Sequence, residues 1–133
     1  MFTQEQLEGV ILASANPEIE ISKDKASALG YRVRVRILFR SFSLDFLNII
    51  KQNLDEVNIT SRIKEKEKSN RPNPILIVSK MEDILEFVKL LPDLPDSSNK
   101  FDSFLTILSL ISNKHHLTQK GLDKILKIQG LSI

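Results

Sequence analysis

Alternating apolar and charged residues form the most regular pattern in this chain. In the segment YRVRVRILFRSF, which begins at Tyr31, valine, isoleucine and phenylalanine occupy one parity and arginines occupy the other. Period-two alternation is typical of a strand with one buried face and one solvated face. Shorter alternation over residues 18–23 and 59–68, and the apolar run ILIV at residues 75–78, predict three further strands.

Helical patterns separate these strands. Three helix starts are predicted from N-cap residues. They are the capping pairs Thr3–Gln6 and Ser79–Glu82 and the single N-cap Ser43. Two more helices are predicted over residues 100–112 and 118–128, after a loop that contains Pro92 and Pro95. The order αββαββα followed by C-terminal helices predicts an α+β fold in one domain over residues 1–133. Its centre is a four-stranded antiparallel sheet with helices on one face.

Composition excludes several classes of protein. The chain has no cysteine, so disulfides and thiolate metal sites are impossible. No apolar run reaches the roughly 20 residues that span a bilayer, and the first residues lack the basic region of a secretory signal. We therefore expect an intracellular protein with no membrane partner.

The charges are more informative in their placement than in their sum, which is +2. Two predicted strands carry cations on one parity, and we call these sets the basic rows: Arg32, Arg34, Arg36 and Arg40 in the first, Arg62, Lys64, Lys66 and Lys68 in the second. A basic sheet face suits double-stranded DNA or structured RNA, because cations there release condensed counterions. The alternative is an ordinary solvated face. On the expected parity Glu65 and Glu67 lie away from the second row, whereas Glu18 and Glu20 run against the pattern.

The first helix has small residues in its wall. In LEGVILASA, Gly9 and Ala13 are four residues apart, a spacing that lets a second helix approach closely. A second copy of the chain or the chain's own core could supply that helix.

Taken together, these segments resemble a single-motif LAGLIDADG homing endonuclease. LEGVILASA is similar to the family's nine-residue motif at Leu7, Gly9, Ile11 and Ala13, and GYRVRVRILF is similar to its second strand. The tail adds further matches, namely Lys100, Asp102, Phe104, Lys114, His116, Leu117, Thr118, Gly121 and Leu122. Within the tail, His115 and His116 are expected to have a structural role.

The resemblance implies a homodimer whose motif helices pack about a two-fold axis. The implied interface residues are Leu7, Gly9, Val10 and Ala13. The resemblance also implies an acidic residue at the eighth motif position, where family enzymes bind the divalent cation that activates water. Here that position is Ser14, and no metal site is expected. Lys100 matches the family's lysine near the cleavage centre.

Several functions stay open at this point. The first is a DNA-binding relic of an intron-encoded endonuclease that no longer cleaves and needs no cofactor. The second is a repurposed RNA-binding protein, such as a maturase or a component of a larger organellar ribonucleoprotein in a mitochondrion or chloroplast. The third is an active nuclease that uses magnesium through a displaced acid, Glu18 or Glu20. A purely structural protein-interaction module is the fourth.

Overall fold

The computed structural model describes residues 2–26, 29–91, 101–114, 116 and 118–128. Its elements are α1 (Gln4–Ser14), β1 (Ala15–Lys23), β2 (Tyr31–Arg40), α2 (Leu44–Glu56), β3 (Arg62–Lys64), β4 (Ile75–Val78), α3 (Met81–Val88), α4 (Asp102–Ser112) and α5 (Gln119–Ile128). The four strands form one sheet in the order β1-β2-β4-β3, and β4 pairs antiparallel with both β2 and β3. The predicted fold class is confirmed.

The chain divides into two compact units. The first comprises Met1–Glu18 and Arg36–Asp93, and the second comprises Ile19–Val35 and Leu94–Ile133. Strands β1 and β2 each continue from one unit into the other. The single domain over residues 1–133 stays a prediction.

The core of the first unit lies between the sheet and its helices. Leu7 and Ile11 of α1, together with Leu47 and Ile50 of α2, are buried. Phe39 of β2 meets Phe87, at the end of α3, edge to face with ring centroids 6.1 Å apart. Complete burial of such side chains contributes about 1.5–3 kcal/mol each, which makes this core the main stabilising term. Its members come from the apolar parity of β2, from the β4 residues paired with it, and from one face of each helix.

Two of the three predicted helix caps are confirmed. Thr3 and Gln6 form a reciprocal capping box, and the Ser43 hydroxyl accepts the backbone N–H of Phe46. The Ser79 cap is wrong, because α3 begins at Met81 and Lys80 occupies the cap position without a side-chain hydrogen bond. Ser79 therefore lies one residue too early for its hydroxyl to reach the first free N–H groups of the helix.

The strand predicted over residues 59–68 is also partly wrong, since β3 ends at Lys64. The backbone turns instead, with the Glu67 N–H donating to the Asn73 carbonyl at 3.1 Å. Lys68 and Arg71 then exchange two backbone hydrogen bonds of 3.0 and 2.9 Å. Parity along the sequence therefore stops defining a sheet face after Lys64.

Strand β1 begins at Ala15, directly after α1, and runs through Pro17. A proline in a strand leaves a ladder position without a donor, which an edge strand tolerates. In the strand order β1 is at the edge, so Pro17 does not interrupt it.

The second unit contains the far ends of β1 and β2 and the helices α4 and α5. At the far end of these strands the Asp24 N–H donates to the Gly30 carbonyl at 2.9 Å, and Gly30 has a φ of +79° that glycine adopts readily. Phe101 and Phe104 pack edge to face with centroids 6.2 Å apart. Among the described residues, no helix has both the length and the apolar character needed to cross a membrane.

Candidate nucleic-acid interface

Part of both basic rows lies on one face of the sheet in the first unit. Arg40 of β2 and Lys64 of β3 are both paired with Ile75 of β4, on its two sides. In the next register row, Leu38 and Arg62 flank Ile77 in the same way. Directly paired residues share a face, so the parity prediction is confirmed in position for these cations.

The centre of this face is apolar, which the sequence reasoning missed. Leu38, Ile75 and Ile77 are 1%, 2% and 5% exposed and form a cluster. Long cationic side chains flank them in the register, and the hydrocarbon stems of such side chains cover apolar neighbours while the charged groups stay in water. The signal was available in the sequence, because Leu38 interrupts the arginine parity and ILIV is apolar on both parities. Apolar residues on both faces of a strand indicate that both faces are covered.

Two carboxylates lie among the arginines of β2. Glu18 of β1 forms ion pairs with Arg36 and, at 3.8 Å, with Arg40. Glu67 accepts two hydrogen bonds from Arg40, at 2.9 and 3.2 Å, and its carboxylate is 3.6 Å from Arg71. Three arginines facing two carboxylates leave one net positive charge. The expectation that Glu67 lies on the opposite face was wrong, because the turn after Lys64 carries it back to Arg40.

The pKa shifts follow from this pairing. The hydrogen bond to Glu67 raises the pKa of Arg40, and the same bond lowers the pKa of Glu67. Both groups are therefore charged near neutral pH, and the pairing holds the Arg40 guanidinium in one orientation.

The remaining members of the basic rows have exposed side chains. Within the described residues they form no ion pair, and they are Arg32, Arg34, Arg62, Lys64, Lys66 and Lys68. Arg32 and Arg34 belong to the second unit, whereas the other four belong to the first. Lys66 and Lys68 lie beyond the end of β3, so they do not extend its row as the alternation predicted.

Helix α1 has one buried face and one exposed face. Leu7 and Ile11 point into the chain's own core, whereas Gly9 and Ala13 are exposed and Val10 is half-buried. Beyond its own helix and chain neighbours, a Cβ built on Gly9 would meet no atom of the described residues within 4 Å. The alternative that Gly9 packs against the chain's own core is therefore wrong. Leu7 is 7% exposed and adds little area to a contact on the outer face. A dimer interface on α1 stays a prediction.

The end of α1 presents a serine where the resemblance implies an acidic residue. Ser14 is half-buried and neutral, and the backbone becomes extended at Ala15. Glu18 is four residues further along β1, about 13 Å at ~3.3 Å per residue, and it is paired with Arg36. Glu20 lies two residues beyond it on the same strand. In the part of the chain that the structure describes, no three histidine, aspartate or glutamate side chains gather into a potential metal site. Among the described residues, the end of α1 therefore offers a hydroxyl and no carboxylate, and the expected absence of a metal site stays a prediction.

Two predictions in the tail fall partly outside the described residues. Lys100, His115 and Leu117 lie outside the described residues. His116 is half-buried, and burial lowers its pKa. Its structural role stays a prediction.

Comparison with known proteins identifies the relatives of this fold. A family model described as a LAGLIDADG-like domain matches residues 26–92. That segment excludes α1 and both C-terminal helices. No curated protein matches the sequence.

Solved structures match over nearly the whole chain. The homing endonuclease I-TnaI matches with a TM-score of 0.81 and 16% identity, over 100% of this chain and 90% of its own. The LAGLIDADG meganuclease I-CpaMI, bound to uncleaved DNA, gives a TM-score of 0.79 and 19% identity, over 100% of this chain and 46% of its own. The archaeal intron-encoded homing endonuclease I-Vdi141I, complexed with DNA, gives 0.75 and 22%, over 94% and 78%. The chain thus spans less than half of the length of I-CpaMI. At identities this low, the structural matches establish the fold alone.

Proposed function

The chain belongs to the LAGLIDADG-like domain family, and on this premise we propose that it binds double-stranded DNA through its sheet face and does not cleave it. The observation that carries the binding proposal is the set of exposed cations, free of ion pairs within the described residues, on and beside the sheet. Of this set, Arg62 and Lys64 stand on one side of the apolar centre, and the ion-paired Arg36 and Arg40 stand on the other.

This arrangement suits a phosphate backbone. Each phosphate that a lysine or arginine neutralises releases condensed counterions, a favourable term that weakens with added salt. The arginines paired with Glu18 and Glu67 are already oriented, so less side-chain freedom is lost when they meet a phosphate. Two structurally similar proteins, I-CpaMI and I-Vdi141I, are bound to DNA in their solved structures, which supports DNA as the partner.

The proposal of lost cleavage rests on the end of α1. A hard divalent cation requires anionic oxygen ligands, and Ser14 offers a neutral hydroxyl. A displaced acid is disfavoured because Glu18 is paired with two arginines on the sheet. A dimer would bring two serines together, which does not restore the missing charge.

For assembly we propose a homodimer through the outer face of α1, where Gly9 and Ala13 are exposed. Small residues allow two helix backbones to approach, and a two-fold axis would place two basic sheets side by side. A larger complex that supplies the second helix is the alternative.

Structured RNA is the second candidate partner. The neutral Ser14 favours it, because an RNA-binding role such as a maturase or a ribonucleoprotein component has no need of the cleavage acid. A-form RNA is contacted mainly along its phosphates and 2′-hydroxyls, for which exposed cations also suffice.

One experiment tests binding and cleavage together. Fluorescence anisotropy with a labelled DNA duplex of about 30 base pairs, at low salt, measures binding, with a matched RNA duplex as competitor. The same mixture is then incubated with magnesium and run on a denaturing gel. We expect saturable binding to DNA, weaker competition by RNA, and intact strands. Cleavage in magnesium that Glu20→Gln abolishes would instead establish an active nuclease with a displaced acid.

A further inference from the structure

Phe42 departs from the pattern of the other aromatic side chains. Phe39, Phe87 and Phe101 are fully buried, whereas the Phe42 ring is 89% exposed. An exposed phenylalanine forgoes the large stabilisation that its burial would give. Its neighbours in the linker between β2 and α2 are nevertheless held by local hydrogen bonds. The Ser43 N–H donates to the Ser41 hydroxyl at 3.0 Å, and the Ser43 hydroxyl caps α2.

The ring borders a cleft of about 460 Å³ in the first unit. The cleft combines an aromatic plane, charged groups and amides, and its lining includes Arg40, Phe42, Glu67, Asn70, Arg71 and Asn73. We call it the Phe42 cleft. Its opposite wall is the turn over residues 67–74, which the backbone bonds of Glu67, Lys68 and Arg71 hold closed. Both walls are therefore formed before any ligand arrives.

The charges of the cleft favour an anion. Glu67 lies between Arg40, at 2.9 Å, and Arg71, at 3.6 Å, so two cations share one carboxylate. The Arg71 side chain is about half exposed. It therefore retains an open guanidinium surface, which can stack on a flat ring and donate to a phosphate.

We propose that the Phe42 cleft binds one unstacked nucleobase together with its adjacent phosphate. The inference rests on the proposed function, because Arg40 belongs both to the sheet face and to the cleft. A nucleotide requires a flat apolar surface for its base, a cation for its phosphate, and donors and acceptors for the base edge. Phe42, Arg71 and the amides of Asn70 and Asn73 supply these three in order. The base can come from a single-stranded DNA tail or from an RNA loop, since both present the same chemistry.

The test compares two probes that differ only in an unpaired segment. One is a labelled blunt DNA duplex of about 20 base pairs, and the other is the same duplex with a single-stranded tail of about six nucleotides, made as DNA and as RNA. Loss of one stacked base weakens single-strand binding by about 5- to 150-fold. We expect Phe42→Ala to bind a tailed probe more weakly than wild type by that factor, and to bind the blunt duplex with an affinity within about twofold of wild type. Whichever tail, DNA or RNA, loses affinity in Phe42→Ala identifies the nucleic acid that supplies the base.

Three variants sharpen the test. Phe42→Trp keeps an aromatic plane and is expected to retain tail binding, and Arg71→Lys keeps the charge but loses the planar surface and is expected to weaken it. Leu44→Ala is the matched control, because Leu44 is another exposed apolar residue, 39% exposed, outside the cleft. Thermal melting of each variant reports folding.

The outcomes separate this inference from the proposed function. If wild type binds no probe, both are wrong. If wild type binds and Phe42→Ala weakens the blunt and tailed probes equally, or weakens neither, the base subsite alone is wrong. A change in sedimentation with Phe42→Ala would assign the ring to a contact between protein chains and overturn the inference.

Discussion

Replacing Glu18 by glutamine is expected to tighten DNA binding. The Glu18 carboxylate pairs with Arg36 and Arg40, and all three side chains are about one-third exposed. Glutamine keeps an oxygen that accepts a hydrogen bond from Arg36, but it removes one negative charge from the proposed interface. If the released charge meets one more phosphate, the slope of log K against log[salt] steepens by about 0.9. If wild type and Glu18→Gln bind equally at 1 M salt, Glu18→Gln then binds about eightfold more tightly than wild type at 0.1 M salt.

The cost to folding is expected to be small. Ion pairs at this exposure contribute about 0–1 kcal/mol, because water and salt screen them. Anisotropy titrations on a DNA duplex at four or more salt concentrations give the affinities and the slope. Glu86→Gln is the matched control, since Glu86 of α3 forms an exposed pair with Lys89, the residue after the helix, and the substitution removes the same charge. The reasoning is refuted if Glu18→Gln and Glu86→Gln have equal effects, or if Glu18→Gln weakens binding while the fold stays intact.

Four further results are expected. Gly9→Leu should shift sedimentation from dimer to monomer while the monomer stays folded, because among the described residues no atom beyond its own helix and chain neighbours lies within 4 Å of the Gly9 Cβ position; a wild type that sediments as a monomer would remove the α1 interface. Ser14→Asp should make thermal stability depend on magnesium, since two carboxylates across a dimer axis repel each other without a cation; equal melting in chelator and in magnesium would place the two helix ends apart. Asn53→Ala should lower the free energy of unfolding by about 1–3 kcal/mol in a urea titration, because buried Asn53 accepts the Phe2 N–H at 2.9 Å; a loss below about 0.5 kcal/mol would contradict this. The pKa of Glu67 is lowered mainly by its hydrogen bond to Arg40, so the charged Glu67 stabilises the fold fully above the ordinary carboxyl pKa of 4.5, and this contribution is lost as the pH falls through the folded-state pKa. In acid titrations, the free energy of unfolding of Glu67→Gln should therefore fall less below pH 4.5 than that of wild type. Identical curves for the two proteins would show that the pair is not coupled to folding.

The fold was predictable from the sequence because its longest elements follow simple periodicity. In β2, one parity is apolar and the other is mostly arginine, so strand, buried face and solvated face follow from one pattern. The caps at Thr3 and Ser43 were predictable because their side chains bond to a backbone three residues away. Such local interactions depend little on the rest of the chain.

The errors occur where contacts distant in sequence decide the outcome. Alternation continues to Lys68, but hydrogen bonds to Arg71 and Asn73 turn the chain after Lys64. Glu67 consequently lies beside Arg40, where parity had placed it on the other face. At Ser79 the chain leaves β4 two residues before α3, a spacing that local cap preference does not reveal.

The candidate site shows the same division. The parity of the arginines placed Arg36 and Arg40 on one face, and the register with β4 brought Arg62 and Lys64 onto that face. The burial of Leu38, the pairing of Glu18 and the exposure of Phe42 depend on the packed sheet and turns. The role of Ser14 came from the resemblance to a family, because a serine is not chemically distinctive by itself. The spacing of Gly9 and Ala13 indicated a close helix contact, and only the resemblance implied that a second copy of the chain supplies it.

The central claim is that the sheet face binds nucleic acid through its exposed cations. It is tested most directly by the salt dependence of DNA binding for wild type and for the double variant Arg62→Ala with Lys64→Ala. The matched control is Lys51→Ala with Lys89→Ala, which removes the same charge from α2 and from the residue directly after α3. If Arg62 and Lys64 each neutralise a phosphate, the double variant lowers the slope of log K against log[salt] by about 1.8, and the control leaves it unchanged. Equal slopes for wild type, double variant and control would contradict the assignment of this face.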